Sequence, residues 1–170
     1  MLNAWRKRNE LKALADQLCA QLTVRSREKV FFTALGVPDT IDGRFDLLAL
    51  HAWLLLERLQ LSGRPDLAQA VTDRLFVGFD EGLRDLGAGD MGMGRRMKKL
   101  GQAFYGRLQA YNTAKDEGEL ASAIARNLFR GTGHEDGAKL LAMYAKLSRV
   151  HLSTADVGAA RTDFGPLPNA

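Results

Sequence analysis

Apolar residues along this chain recur at intervals of three and four, with polar residues between them. This spacing is typical of amphipathic helices, whereas a half-buried strand alternates apolar and polar residues. No segment shows strict alternation bounded by turn dipeptides. The pattern therefore predicts an all-α protein of about six to seven helices. The first helix is expected at about 9–22, with a stripe of Leu11, Leu14, Leu18 and Leu22.

Residues that begin and end helices divide the rest of the chain. Ser26 is a candidate N-cap and Gly36 a candidate stop, so they bound a second helix at about 26–35. Pro65 suits the first turn of a helix that ends at Gly87. Its stripe, expected to face the core, is Leu67, Val71, Leu75, Phe79, Leu83 and Leu86. We expect further helices at about 42–60, 95–114, 119–130 and 135–150.

The segment at about 42–60 is apolar around nearly its whole circumference, which predicts a helix at the centre of the domain. His51 interrupts it. A histidine on such a helix is more often a hydrogen-bonded core residue than a ligand, because metal sites need several converging donors. Cys19, beside the first stripe, is also expected to be buried. No metal and no organic cofactor is expected.

The composition indicates one ordinary globular unit. The chain has 170 residues, 46% of them hydrophobic, so residues 1–155 are predicted to form one domain, a monomer or weak dimer. Residues 156–170 lack periodicity and are expected to be a flexible tail. The net charge of +4 is too small for a protein that coats nucleic acid, and no specific DNA binding is expected. A single cysteine excludes an internal disulfide and a cysteine metal cluster.

The N-terminal segment and the longest apolar run bear on location. The run at 47–56 is too short and too polar for a membrane span. The N-terminus lacks a continuous apolar region and a cleavage site, so we expect a soluble cytoplasmic protein. Contact with the inner face of the inner membrane is a secondary expectation. Trp5, Arg6, Lys7 and Arg8 suit an anionic headgroup region, although the segment is short.

The helix predicted at about 95–114 follows a glycine-dense loop and begins with four cations, which we call the basic start: Arg95, Arg96, Lys98 and Lys99. Cations at a helix N-terminus oppose the helix dipole, so their position costs about 0.3–1 kcal/mol each before screening. A locally unfavourable cluster indicates a binding role. The alternative is a merely solvated basic face, because salt screens such charges.

Catalytic interpretations find little support. The acidic pairs at 80–81 and 135–136 are typical of helix surfaces, without the burial that acid–base catalysis requires. A nucleophile elbow and a phosphate-binding loop are absent from the sequence. Binding to RNA or to the ribosome surface stays open, because Tyr105, Arg107 and Tyr111 lie near the basic start.

A long central run carries a family resemblance. It reads Leu-Phe-Val-Gly-Phe-Asp-Glu-Gly-Leu-Arg-Asp-Leu-Gly-Ala-Gly-Asp at 75–90, followed by the basic start and by Ala-Phe-Tyr-Gly-Arg at 103–107. With His-Ala-Trp-Leu at 51–54 and Arg-Asn-Leu-Phe at 126–129, it resembles the ubiquinol-cytochrome c chaperone family over about residues 25–150. Two departures are the sequence Met-Gly-Met-Gly at 91–94 and Asn112, where the family usually has Asp.

The resemblance implies a non-catalytic factor that assembles ubiquinol-cytochrome c reductase. Its client in mitochondrial members is newly made cytochrome b, and a short chain like this one is similar to the bacterial form. Mitochondrial members also work with a small partner protein and near the ribosomal exit. The resemblance thus implies cytochrome b, or another subunit of the same complex, as the partner here.

The residue chemistry and the resemblance point to one surface. A nascent membrane protein presents apolar segments and charged loops, so its chaperone needs apolar walls, a charged rim and adaptable methionines. The candidate partner-binding residues are Asp80, Arg84, Asp90, Met91, Met93, Arg95, Arg96, Lys98, Lys99, Tyr105, Arg107 and Tyr111.

Overall fold

The computed structural model describes residues 2–87, 89, 91–131 and 133–168. Within these residues the protein is all-helical, as predicted. The helices are α1 (Leu2–Ser26), α2 (Lys29–Thr33), α3 (Ile41–Leu61), α4 (Pro65–Asp85), α5 (Met93–Asn112), α6 (Glu117–Asn127) and α7 (Glu135–Thr154), followed by a 3₁₀ turn at Val157–Ala159. None of the helices in this described part is both long and apolar enough to cross a bilayer.

Helix α3 lies at the centre, which confirms the prediction from its apolar circumference. Its leucines are buried on several sides, and it contacts α1, α4, α5 and α7. The Thr40 side chain caps its start by accepting a hydrogen bond from the Gly43 amide at 3.1 Å. A Cβ at position 43 would lie 1.9 Å from the Pro38 carbonyl oxygen, so glycine is required there.

Helices α1 and α4 pack side by side in opposite directions. The Cys19 thiol donates to the Val71 carbonyl at 3.5 Å, and Arg74 pairs with Asp16 at 2.9 Å. Cys19 is buried as expected, and burial raises the pKa of its thiol to about 12. The second helix begins at Lys29 and not at Ser26 as predicted. Ser26 ends α1, because its hydroxyl donates back to the Thr23 carbonyl.

Helices α4 and α5 form a hairpin closed by aromatic rings. Phe76 and Phe79 on α4 both contact Phe104 on α5 edge-to-face. Leu86 was expected in the core and is 61% exposed. The reason is that α4 ends at Asp85 and the chain turns away at Gly87, whose φ of +80° favours glycine.

The segment after α7 is packed against the domain, in contrast to the expected flexible tail. Phe164 is buried in the core. The Ser148 hydroxyl donates to the Phe164 carbonyl at 2.8 Å, and Arg25 donates to the Gly165 carbonyl at 2.8 Å. After the 3₁₀ turn the segment has no regular secondary structure, so its apolar residues follow no helical period and gave no signal in the sequence.

Candidate functional site

The basic start opens α5 on an exposed corner of the molecule. Gly92 precedes the helix with φ +94°, and no side chain caps the helix there. All four cations of the basic start are exposed. In the part of the chain that the structure describes, no acidic oxygen lies within 4 Å of any of them. A hollow of about 420 Å³ is lined by Met91, Gly92, Arg95, Arg96 and Lys99. This corner therefore carries concentrated positive charge, with no acidic partner among the described residues.

The outward side of the α4–α5 hairpin adjoins the basic start. Phe76, Asp80 and Arg84 lie one turn apart on α4, while Lys98 and Tyr105 lie two turns apart on α5. The rings of Tyr105 and Phe76 stack with centroids 5.8 Å apart, and Tyr105 is about half exposed. Arg84 and Asp80 form an ion pair at 2.8 Å. We call these five residues the hairpin face, an aromatic centre between charged groups.

Two predicted surface residues are buried. Met93 is 6% exposed and Tyr111 is 1% exposed. The Tyr111 ring packs against Trp53 with centroids 5.5 Å apart, and burial raises the pKa of its hydroxyl. Both side chains therefore belong to the interior rather than to an accessible surface. Asp90, also predicted here, lies outside the described residues.

Arg107 is turned inward to Asp46 on α3. Its Nε donates to Asp46 Oδ1 at 2.5 Å, and its Nη1 donates to the Ala103 carbonyl at 2.9 Å. Arg130 reaches Asp46 Oδ2 at 3.3 Å. The Asp46 carboxylate is fully buried; desolvation raises its pKa, and the two arginines lower it in part. The Arg107–Asp46 ion pair therefore links α5 to α3. Asp46 was not identified from the sequence as a residue of this region.

His51 is a core residue, as predicted from its position on α3. Its Nδ1 lies 2.8 Å from the Leu47 carbonyl oxygen, and its Nε2 lies 2.9 Å from the Tyr144 hydroxyl. Burial lowers the pKa of His51 to about 4, so it is neutral at physiological pH. Among the residues described, no group of three or more histidine, cysteine or acidic side chains converges in a way that could hold a metal ion.

Two known proteins are similar to part of this chain. Ubiquinol-cytochrome-c reductase complex assembly factor 1 of Xenopus laevis is 24% identical over 102 residues, covering 58% of this chain and 51% of that protein. Protein CBP3 of Saccharomyces cerevisiae is 31% identical over 118 residues, covering 64% of this chain and 34% of that protein. The chain thus spans about half of one relative's length and about a third of the other's.

Similarity to a solved structure extends over nearly the whole chain. The crystal structure of the Cbp3 homolog from Brucella abortus matches with a TM-score of 0.80 and 32% identity, covering 96% of this chain and 97% of that one. The family model described as Ubiquinol-cytochrome C chaperone matches residues 33–162, which include α3 to α7 and the whole hairpin face. The chain therefore belongs to the ubiquinol-cytochrome c chaperone family.

Proposed function

We propose that this protein is a non-catalytic assembly chaperone for ubiquinol-cytochrome c reductase, and that its client is newly made cytochrome b. It acts in the cytoplasm, at the inner face of the inner membrane. Family membership and the name of the Xenopus laevis relative support the assembly role. The observation that carries the client-binding part is the partly exposed aromatic centre of the hairpin face beside the exposed basic start.

Each part of this surface suits a nascent membrane protein. The Tyr105 and Phe76 rings offer flat apolar area beside polar groups, as at many protein interfaces. Met91 is 98% exposed, and its flexible side chain can adapt to different apolar segments. The basic start attracts acidic loops and speeds the first encounter, because complementary charge raises association rates. Met93, Arg107 and Tyr111 are not part of this accessible surface, because Met93 and Tyr111 are buried and Arg107 pairs with Asp46.

A capture experiment tests the proposal. Tagged protein is purified from membranes solubilised in mild detergent, and cytochrome b is detected with antibody and by its haem absorbance. We expect wild type to retain cytochrome b and Tyr105→Ser to lose most of it. Gln109→Ser, at another exposed position on α5, is the matched control and should behave as wild type.

Two results would contradict the proposal. One is equal capture of cytochrome b by wild type and Tyr105→Ser. The other is purification with ribosomes but without cytochrome b, which would favour the alternative of an adaptor on the ribosome or RNA surface.

A further inference from the structure

The antiparallel packing of α1 and α4 brings two distant parts of the sequence to one end of the molecule. Asp16 on α1 pairs with Arg74 on α4. Trp5 on α1 and Asp85 on α4 lie equally far from this ion pair along their helices, about 16 Å at the helical rise. Because the helices run in opposite directions, both residues lie at the same end of the molecule. Because α5 begins a few residues after α4 ends, its start lies at this end as well.

Three large apolar side chains are exposed at this end. Trp5 is 65% exposed, Leu86 is 61% exposed and Met91 is 98% exposed. They come from separate segments: the first turns of α1, the residue after α4, and the turn before α5. All three lie where helices begin or end, at the same end of the molecule.

Cations surround these apolar groups. Lys7, Arg8, Arg95 and Arg96 are exposed, and none has an acidic partner within 4 Å among the described residues. Of the acidic residues described at this end, Glu10 pairs with Arg6 at 3.6 Å and Asp80 pairs with Arg84 at 2.8 Å. Glu81 lies 3.8 Å from Arg74, and Asp85 is exposed. We call Trp5, Lys7, Arg8, Leu86, Met91, Arg95 and Arg96 the tip surface.

We propose that the tip surface docks this protein on the surface of an anionic lipid bilayer. Trp5, Leu86 and Met91 enter the headgroup region, and the cations lie among the lipid phosphates. Tryptophan favours this boundary because one part of its ring system is apolar and its N–H is polar. Each Lys or Arg near an anionic bilayer adds attraction that falls off within a Debye length. The proposal goes beyond chaperone function and holds whatever the client is.

The mixture of groups distinguishes a bilayer from other anionic partners. RNA is held through its phosphates and by stacking on aromatic rings, and neither contact uses the aliphatic chains of Leu86 and Met91. A lipid surface uses the apolar and the cationic groups together. The bilayer is therefore the partner for which every member of the tip surface has a role.

Vesicle flotation with two matched variants tests this proposal. The tip variant, Trp5→Ser/Lys7→Gln/Arg8→Gln, removes one exposed apolar group and two cations from α1 without touching the hairpin face. The control, Val24→Ser/Arg27→Gln/Lys29→Gln, removes the same kinds of exposed groups near the other end of α1. The vesicles contain phosphatidylcholine alone or mixed with phosphatidylglycerol, and circular dichroism checks that both variants remain folded.

Wild type and the control should bind the phosphatidylglycerol vesicles and release them at high salt. The tip variant should bind at least about tenfold more weakly, because two cations and an interfacial tryptophan are lost. In detergent, it should still capture cytochrome b like wild type, which separates this test from that of the proposed function.

Several results would overturn the proposal. These are equal binding to neutral and anionic vesicles, equal binding by the tip variant and wild type, and no binding at all. Loss of cytochrome b capture by the folded tip variant would instead assign these residues to a protein interface, and selective loss of RNA binding would assign them to RNA.

Discussion

Replacing Arg107 by methionine should destabilise the fold while leaving the exposed surface intact. Methionine keeps much of the apolar stem of arginine but removes the charge that faces Asp46. Removing one partner of a buried ion pair costs about 3–5 kcal/mol, because a buried carboxylate is left uncompensated. Arg130 still lies 3.3 Å from Asp46, but it is about half exposed, so its charge is partly screened. We therefore expect the free energy of unfolding to fall by about 3 kcal/mol, near the lower end of this range.

The pH dependence of this loss follows from the pKa of Asp46. In the folded wild type, desolvation already raises that pKa above its ordinary value of 3.8. Losing Arg107 raises it further, so the folded variant binds a proton more tightly than the unfolded chain does. The penalty is therefore largest above the folded-state pKa and shrinks as the pH falls toward 3.8.

Urea unfolding followed by circular dichroism at neutral and mildly acidic pH measures both effects. Arg96→Met is the matched control on the same helix, because Arg96 is exposed and has no acidic partner within the described residues. The control should change the free energy of unfolding by less than about 0.5 kcal/mol. If Arg107→Met unfolds like the control yet loses cytochrome b, Arg107 acts at the binding surface and the structural reasoning is wrong.

Three further predictions concern other parts of the fold. Replacing the basic start with four glutamates should leave thermal stability unchanged or slightly raised while weakening cytochrome b capture, since acidic groups suit a helix N-terminus; a much lower melting temperature would make the cluster structural. Phe104→Ala should cost about 3–5 kcal/mol in urea unfolding, because it removes the ring that Phe76 and Phe79 contact; a loss under about 1 kcal/mol would contradict that packing. His51 is neutral when folded, with a pKa of about 4, so stability should fall by about 3 kcal/mol as the pH drops from 6.5 to 4. His51→Gln should remove that slope, and an unchanged slope would assign it to another group.

Helical periodicity was enough to predict the fold class and the central helix. Apolar residues cover nearly the whole circumference of residues 42–60, so the central position of this helix follows from the sequence alone. The family resemblance was confirmed by the match over residues 33–162. Periodicity did not reveal the packing of Phe164, because a segment without regular secondary structure buries residues at irregular intervals.

The binding surface was harder to predict because charge and aromatic character do not determine accessibility. Arg107 follows Tyr105 by two residues, yet it turns inward to Asp46 while Tyr105 remains exposed. The available signal was Asp46 itself, an acidic residue that directly precedes the apolar run of α3 and that needs a cationic partner if it is buried. The location of Trp5 at the same end of the molecule as the start of α5 depends on how α1 packs on α4, which no local pattern encodes.

The most direct test of the proposed function is the amount of assembled ubiquinol-cytochrome c reductase in cells that lack this protein. Membranes from the deletion strain, grown under conditions where the complex is made, are compared with wild type by native gel electrophoresis and b-type haem spectra. We predict a selective loss of the assembled complex and of its b-type haem signal, restored by the wild-type gene and only weakly by Tyr105→Ser. Normal levels of the complex in the deletion strain would contradict the account.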